Sequence, residues 1–202
     1  GGPQMGKALI VIDMQPDFCP GGRLAVAGGD EIVAPINDLM ADFDAVVLTQ
    51  DWHPPDHASF AENHPGAAPF SMIDMRYGPQ VLWPAHCVIG SEGARLHPAL
   101  AVDCADLILR KGFRPQIDSY SAFFENDHRT PTGLEGYLRA RDLLDLTFVG
   151  LAHDFCVAWS AIDAAKLGFR ATVIEAATRA IDLNGSREAA RANMRKAGVE
   201  LA

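Results

Sequence analysis

The sequence predicts an α/β fold in which a mostly parallel sheet forms the middle layer of a three-layer αβα sandwich. Short and uniformly apolar runs recur along the chain, as expected for strands that are buried on both faces. Segments with helical apolar spacing alternate with these runs, which is the pattern of a parallel sheet covered by helices. The 202 residues fit one domain, at roughly 100–200 residues per domain, and no repeat or linker divides them.

The predicted elements follow in chain order. Apolar runs predict strands at residues 8–13, 45–49, 107–111, 146–150 and 169–174, with a short last strand at Val199. Helical spacing predicts helices at about 31–41, 133–140, 155–167 and 187–196, the first of them capped by Asp30. Residues 50–98 are rich in Pro, His, Gly and Asp and show little periodicity. A stretch of this length without regular structure is usually functional, so we expect a metal- and substrate-binding loop region there.

Composition and charge exclude several classes of function. The formal charge of −9 argues against a nucleic-acid partner, because phosphate binding needs a basic face. No apolar run reaches the roughly 18–20 residues of a membrane span, so we expect no membrane partner. Residues 1–6 are interpreted as an expression remnant with the natural start at Met5 and no signal peptide, and residues 7–202 as a single domain. The four cysteines lack Cys-x-x-Cys spacing, which predicts reduced thiols in the cytoplasm.

Polar side chains follow four of the predicted strands at the point where each strand ends. Asp13 ends the first strand, Asp51 and His53 follow the second, Lys111 ends the third and Cys156 follows the fourth. The carboxyl ends of parallel strands meet at one edge of a sheet, which is where ligands bind. We therefore expect a carboxylate, a metal site, an amine and a thiol to lie together, although they are far apart in the sequence.

Cys156 is the candidate nucleophile of this group. A free cysteine is more often a small buried hydrophobe, and that interpretation is kept for the remaining three, Cys19, Cys87 and Cys104. Cys156 differs because a helix N-terminus and the Lys111 cation would both stabilise its thiolate. Asp13 is the candidate acid or base, and the backbone N–H groups of Ala152 and Cys156 are candidates for an oxyanion hole. Alone, Asp13 and Lys111 could each be an ordinary turn cap or a solvated strand end.

The long loop carries the candidate metal ligands. Asp51, His53 and His86 suit a divalent transition metal such as zinc, iron or manganese. For His57 the sequence leaves two interpretations: it could be a metal ligand, or it could lie behind the ligands and support them. The other histidines near this loop, His64 and His97, are interpreted as exposed or hydrogen-bonded side chains.

Two aromatic residues lie next to the proposed chemistry. Phe18 follows Asp13 closely, and Trp83 precedes His86 in the long loop. Aromatic residues in such a loop most often serve packing. Phe18 and Trp83 are nevertheless placed to stack on the two faces of a flat ring.

Five segments of the chain together resemble a known family. They are residues 13–19 (DMQPDFC), 49–57 (TQDWHPPDH), 83–90 (WPAHCVIG), 110–112 with 118–123 (RKG and DSYSAF) and 149–157 (VGLAHDFCV). In this order they resemble the nicotinamidases, also called pyrazinamidases, of the isochorismatase-like cysteine hydrolases. The resemblance runs from about Ala8 to Glu200, nearly the whole chain.

The resemblance implies an isochorismatase-like hydrolase fold and a reaction in which nicotinamide and water give nicotinate and ammonia through a cysteine thioester. Pyrazinamide is an implied second substrate, and recycling of nicotinamide towards NAD an implied role. Asp13, Lys111 and Cys156 would be the catalytic triad. One divalent metal ion, zinc as first choice with iron or manganese as alternatives, would orient the pyridine ring from the ligands Asp51, His53 and His86. The sequence leaves open whether the protein forms a homo-oligomer.

The resemblance also implies finer features of the site. His57 matches a position that ligates the metal in some members only. The Leu151–Ala152 peptide matches a cis bond that places the Ala152 N–H beside that of Cys156, and Leu151 would join Phe18 and Trp83 in binding the substrate. His153 departs from the family pattern, in which many relatives carry Thr or another non-basic residue, and we interpret it as a tolerated substitution.

Three other functions remain as alternatives. A related cysteine hydrolase for a carbamoyl or ureido substrate would share Asp13, Lys111 and Cys156 but would have no use for the metal ligands. In a metal-dependent hydrolase the ion would activate water and Cys156 would only pack. A ligand-binding module on this fold would need no activity at all.

Overall fold

The structure is a computed structural model that describes residues 5–202, so residues 1–4 of the interpreted remnant lie outside the described residues. The strands are β1 (Gly6–Ile12), β2 (Ala45–Asp51), β3 (Met72–Met75), β4 (Gly78–Val81), β5 (Leu107–Lys111), β6 (Leu143–Leu151), β7 (Arg170–Arg179) and β8 (Glu200–Leu201). The α-helices are α1 (Val33–Leu39), α2 (Leu134–Ala140), α3 (Ala158–Lys166) and α4 (Ser186–Ala197).

Six strands form the central sheet, in the order β5-β2-β1-β6-β7-β8. Every neighbouring pair in this sheet is parallel; at the centre, Ile10 of β1 lies opposite Val47 of β2 and Phe148 of β6. Residues 8–12 and 45–51 are buried throughout, which explains why these strands are apolar without alternation. The predicted fold class, a mostly parallel sheet flanked by helices, is confirmed.

The boundaries of several predicted elements are wrong, and the first of these is the helix that follows β1. The helix predicted over 31–41 is a 3-10 turn at Gly29–Ile32, then α1, then a second 3-10 turn at Met40–Asp42. Pro35 lies inside α1 and has no N–H to donate to Glu31, so the α-helical ladder cannot extend back through that turn. Asp30 lies inside the first turn and does not cap it; Gly28 takes that place, with a left-handed φ of 72°.

The long loop and the segment after β6 also differ from the prediction. Residues 50–98 contain an antiparallel hairpin of β3 and β4, which polar residues and a proline hid from the apolar pattern. The helix predicted from residue 155 begins as a π-helical turn at His153–Val157 and becomes α-helical only at Ala158. The strand predicted to end at residue 174 continues as β7 to Arg179, with an irregular register against β6.

The order of the strands places the candidate residues together. Asp13 follows β1, Asp51 and Lys111 are the last residues of β2 and β5, and Ala152 follows β6. Since β5, β2, β1 and β6 are consecutive neighbours in a parallel sheet, these carboxyl ends share one edge. The Leu151–Ala152 peptide is cis, as the resemblance implies.

Most of the buried apolar residues form one cluster that reaches from Ala8 to Val199, while Phe60, Ala61 and Leu82 are buried outside it. The assignment of residues 7–202 to a single domain stays a prediction. Among the helices of the described part of the chain, residues 5–202, none has the length and apolar character that crossing a membrane requires.

Gly150 provides a test of how tightly β1 and β6 approach. It has a φ of 111°, and a Cβ there would overlap the Ile12 carbonyl oxygen. We expect Gly150→Ala to lower the free energy of unfolding by about 3 kcal/mol or more, because strain and a backbone clash add. Urea denaturation measures this.

Gly133→Ala is the matched control, because Gly133 has a similar φ of 99° but a Cβ there would meet no heavy atom of a packed neighbour within 4 Å. It should cost only the strain, about 1–2 kcal/mol. Equal losses in the two variants would contradict the close approach at Gly150.

Candidate active site

The Lys111 amine lies at the centre of the site and contacts four of its groups. Its Nζ lies 2.9 Å from Asp13 Oδ2 and 2.6 Å from Asp51 Oδ1, and it donates a 2.9 Å hydrogen bond to the Ser119 carbonyl. The fourth neighbour is Cys156 Sγ, at 3.5 Å. Burial alone would lower the pKa of this amine, but the two carboxylates hold the pKa well above its usual range. The sheet edge therefore carries a permanent buried cation between two carboxylates and a thiol.

Asp13 is fully buried beside this cation. The Thr49 hydroxyl donates a 2.6 Å hydrogen bond to Asp13 Oδ1, while Oδ2 faces Lys111. Asp13 adopts a φ of 50°, a left-handed conformation that aspartate tolerates better than most residues. Burial, together with the charge of Asp51, raises the pKa of the Asp13 carboxyl to about 6, despite the opposing effect of Lys111. A carboxyl with such a pKa can both accept and release a proton near neutral pH.

Cys156 lies in the π-helical turn between β6 and α3, 7% exposed. Its sulfur and one carboxylate oxygen each from Asp13 and Asp51 lie within 4.8 Å of one another. Burial raises the pKa of the thiol well above its usual value, and Lys111 offsets only part of that rise. Lys111 thus acts on the thiol in the predicted direction, but burial outweighs it, so the nucleophile needs a base to take its proton.

Asp51, His53 and His86 form a compact group of potential metal ligands. Asp51 Oδ2 lies 3.4 Å from His53 Nε2 and 3.8 Å from His86 Nε2. The Nδ1 atoms of the two rings face the carbonyls of Gly112 and Pro84, at 2.7 and 2.8 Å. Such contacts place a ring hydrogen on Nδ1, so that each deprotonated Nε2 offers its lone pair to a cation, as in metal-bound histidines. His53 Nε2 is buried without a hydrogen-bond partner among the described residues, so the group fits a divalent cation.

His57 lies beside His53 but is engaged elsewhere. Its Nδ1 accepts a 3.1 Å hydrogen bond from the Ser59 N–H, and its Nε2 lies 3.1 Å from the Ile117 carbonyl. His57 can form a separate group with His53 and Asp118, but it is not part of the group around Asp51 and His86. Both ring nitrogens of His57 thus have protein partners, which favours the interpretation that His57 lies behind the metal ligands and is not itself a ligand.

A small pocket lies against the thiol and two of the candidate metal ligands, Asp51 and His86. Six of its lining residues are predicted from the sequence: Phe18, Asp51, Trp83, His86, Ala152 and Cys156. Leu151 does not line this pocket; it is fully buried, and its side chain packs towards Gly29. The aromatic lining makes the pocket suitable for a flat ring.

Sequence reasoning missed the other four lining residues, which are Asp118, Tyr120, Phe155 and Ile181. The Tyr120 hydroxyl accepts hydrogen bonds from Trp83 Nε1 at 3.0 Å and from Gln80 Nε2 at 2.7 Å, so it fixes the indole. The Phe155 and Trp83 rings pack edge to face, with their centroids 5.0 Å apart. Adjacency to Cys156 could have pointed to Phe155, and Asp118 and Tyr120 lie in the segment 118–123 that carries part of the resemblance. Ile181 lies in none of the five segments.

A parallel α/β sheet with a thiol, an amine and a carboxylate in contact at its edge defines the class of this protein as an α/β cysteine hydrolase. The family model of the isochorismatase domain matches residues 7–202. The nicotinamidase of Acinetobacter baylyi is 56% identical over 193 residues, which are 96% of this chain and 90% of that protein. The chain belongs to the isochorismatase family and, within it, to the nicotinamidases, hydrolases that act on an amide bond.

Solved structures agree with this assignment. The Acinetobacter baumanii nicotinamidase/pyrazinamidase is 54% identical and superposes with a TM-score of 0.96, covering 99% of this chain and 97% of that one. A protein of L. infantum in complex with nicotinate is 39% identical, with a TM-score of 0.85 and coverage of 98% and 92%. The pyrazinamidase of Pyrococcus horikoshii in complex with zinc is 31% identical, with a TM-score of 0.78 and 98% of each chain covered.

The two histidines beside His53 allow a test of the ligand set. We expect His86→Ala to weaken Zn²⁺ binding by more than about a hundredfold, because it removes a free Nε2 lone pair aimed at Asp51. His57→Ala should weaken it by less than about tenfold, since both His57 nitrogens are already engaged. Competition with a chromophoric chelator measures both affinities. Equal losses would place His57 in the coordination sphere.

Proposed function

We propose that the protein hydrolyses nicotinamide to nicotinate and ammonia through a thioester at Cys156, and that it accepts pyrazinamide in the same way. The observation that carries the proposal is the contact of Lys111 Nζ with Asp13 at 2.9 Å and with Cys156 Sγ at 3.5 Å. Of these residues, Cys156 lines a pocket that also has aromatic rings in its wall. The nicotinamidase relatives and the nicotinate complex described above support the choice of substrate.

The first half of the proposed reaction forms the thioester. The ionised Asp13 carboxylate takes the proton of the Cys156 thiol, and the sulfur attacks the carboxamide carbon. The backbone N–H groups of Ala152 and Cys156 stabilise the oxyanion of the tetrahedral intermediate. Asp13 then gives its proton to the amide nitrogen, the C–N bond breaks, and ammonia leaves.

The second half returns the enzyme to its starting state. Asp13, again ionised, takes a proton from a water molecule whose oxygen attacks the thioester carbon. The C–S bond breaks, the sulfur recovers a proton from Asp13, and the nicotinic acid formed gives its carboxyl proton to water and leaves as nicotinate. Lys111 keeps its charge throughout, since its pKa lies well above the usual range, and it stabilises the charged forms of Asp13 and Cys156 in turn.

The residues that would hold a divalent cation are Asp51, His53 and His86, and we propose zinc. Bound there, the cation would accept the lone pair of the pyridine nitrogen and orient the ring, which is a positioning effect. The zinc complex of the pyrazinamidase described above supports the choice of metal. Phe18 and Trp83 line the same pocket as His86 and would enclose the ring faces.

Ammonia release from nicotinamide by the purified protein tests the proposed function directly. We expect release that falls on treatment with a chelator and returns with Zn²⁺. No release at about millimolar substrate, the upper end of ordinary KM values, would contradict the proposal. Release that is indifferent to the chelator would contradict the role of the cation and favour a substrate without a ring nitrogen.

Cys156→Ala separates the thioester mechanism from a mechanism in which metal-bound water attacks. We expect this variant to lose nicotinamide hydrolysis and to retain both Zn²⁺ and nicotinamide binding, because the ring contacts lie on other residues. Cys104→Ala is the matched control, since Cys104 is an exposed thiol away from the pocket, and it should keep full activity. Substantial turnover by Cys156→Ala would favour water activation by the metal.

The pKa of Asp13 predicts the acid limb of the pH profile. Asp13 must be ionised to accept the thiol proton, and its pKa is raised to about 6, so the active form is populated above that pH. We expect kcat/KM to fall about tenfold per pH unit below this value. Initial rates of ammonia release at each pH measure this acid limb of the profile. Recovery of activity on return to neutral pH is the control that excludes unfolding. A flat profile well below pH 6 would exclude Asp13 as the base.

A further inference from the structure

His153 lies between the two residues proposed to stabilise the oxyanion, Ala152 and Cys156. It is only 2% exposed and begins the π-helical turn that carries the nucleophile. It does not line the substrate pocket. Its ring instead contacts β7, where Nε2 lies 2.9 Å from Glu175 Oε2. A carboxylate can only accept, so Nε2 carries the hydrogen of this bond.

Glu175 is in turn held by Arg191 on α4. Arg191 Nε donates a 3.0 Å hydrogen bond to the same oxygen, Oε2, and its Nη2 lies 3.4 Å from Oε1. Partial burial opposes ionisation of Glu175, but the hydrogen bonds from His153 and Arg191 outweigh it and lower the pKa of the carboxyl. The turn after β6, the strand β7 and the helix α4 are thus joined by one chain of charge-assisted hydrogen bonds.

The contact with Glu175 is the polar anchor of the His153 ring. The other ring nitrogen, Nδ1, is buried and has no hydrogen-bond partner among the residues that the structure describes. The next residue, Asp154, is anchored separately, by the backbone N–H groups of Ile181 and Asp182 at 3.0 and 2.7 Å. Removing the His153 contact therefore leaves the start of the turn held through Asp154 alone among these two side chains.

We propose that His153, Glu175 and Arg191 form a positioning network that sets the backbone of the turn from Ala152 to Cys156 for amide hydrolysis. The inference rests on the proposed function, because it concerns how the oxyanion donors and the nucleophile of that reaction are held. His153 is then a positioning residue and not a tolerated substitution.

The network acts on the transition state more than on substrate binding. The residues proposed to hold the ring, Phe18, Trp83 and the metal ligands, lie outside the network, although the turn itself contributes Ala152, Phe155 and Cys156 to the pocket lining. The N–H groups of the turn matter most when the oxyanion forms, so a shifted turn lowers kcat and leaves KM nearly constant. A misplacement of about 1 Å can cost up to about a hundredfold in rate.

Steady-state kinetics on nicotinamide with two substitutions at one position test the proposal. His153→Leu keeps a buried side chain of similar size without the hydrogen bond, and we expect kcat to fall about tenfold to a hundredfold with KM within about twofold. His153→Gln restores an N–H donor for Glu175 and should recover kcat to within about threefold of the wild type. Thermal unfolding and Zn²⁺ content of each variant confirm that the protein compared is folded and loaded.

Two carboxylates that contact Arg191 provide a matched pair. Glu175→Gln removes the charge that holds His153, and we expect about a tenfold loss of kcat. Glu188→Gln removes the exposed partner that lies 3.4 Å from Arg191 Nη1 and does not contact His153, and kcat should stay within about twofold. This pair also serves the test if His153→Leu does not fold.

The outcomes separate this inference from the function on which it rests. A wild-type protein that releases no ammonia from nicotinamide contradicts the proposed function. An active wild type in which His153→Leu and Glu175→Gln keep kcat contradicts the network alone. The network is also contradicted if KM rises while kcat stays constant, or if His153→Gln is as slow as His153→Leu.

Discussion

The buried Lys111 amine is the constraint on which the rest of the site depends. A buried cation is tolerated only when opposite charges and acceptors surround it, and removal of one partner from such a pair costs about 3–5 kcal/mol. Asp13 and Asp51 supply the charges, and Asp51 divides its two oxygens between Lys111 and the histidine pair. Because one carboxylate serves both groups, the thiol and the candidate cation site are held at a fixed separation.

The sheet brings these groups together, and hydrogen bonds from one turn hold the long loop in place. Gln15, just after β1, donates through Nε2 to the carbonyls of Asp51 and Ala94, each at 2.9 Å. Asp17 in the same turn accepts a 2.8 Å hydrogen bond from the N–H of Cys87, next to His86. The loop that carries the metal ligands is therefore fixed to the strand end that carries Asp13, so a segment with little regular structure can still place ligands accurately.

The sequence predicted the sheet and the convergence at its edge because both follow from local signals. Buried parallel strands are apolar runs, and the residue after each run lies at a common edge. The hairpin of β3 and β4 could not be found this way, since its two strands are only four residues long and contain polar residues and a proline. Tyr120 was missed because its role arises from its contacts with Trp83 and Gln80, which only the folded chain brings near. The rise that burial causes in the pKa of Cys156 could not be predicted, because the extent of burial is a property of the fold.

The claim that nicotinamide reacts through a thioester at Cys156 is tested most directly by partitioning with hydroxylamine. Nicotinamide and methyl nicotinate differ in their leaving groups but would form the same thioester, and hydroxylamine competes with water for it. The ratio of nicotinohydroxamate to nicotinate should then be identical for the two substrates at each hydroxylamine concentration. Ratios that depend on the leaving group would show that water attacks the substrate itself, and would contradict the account.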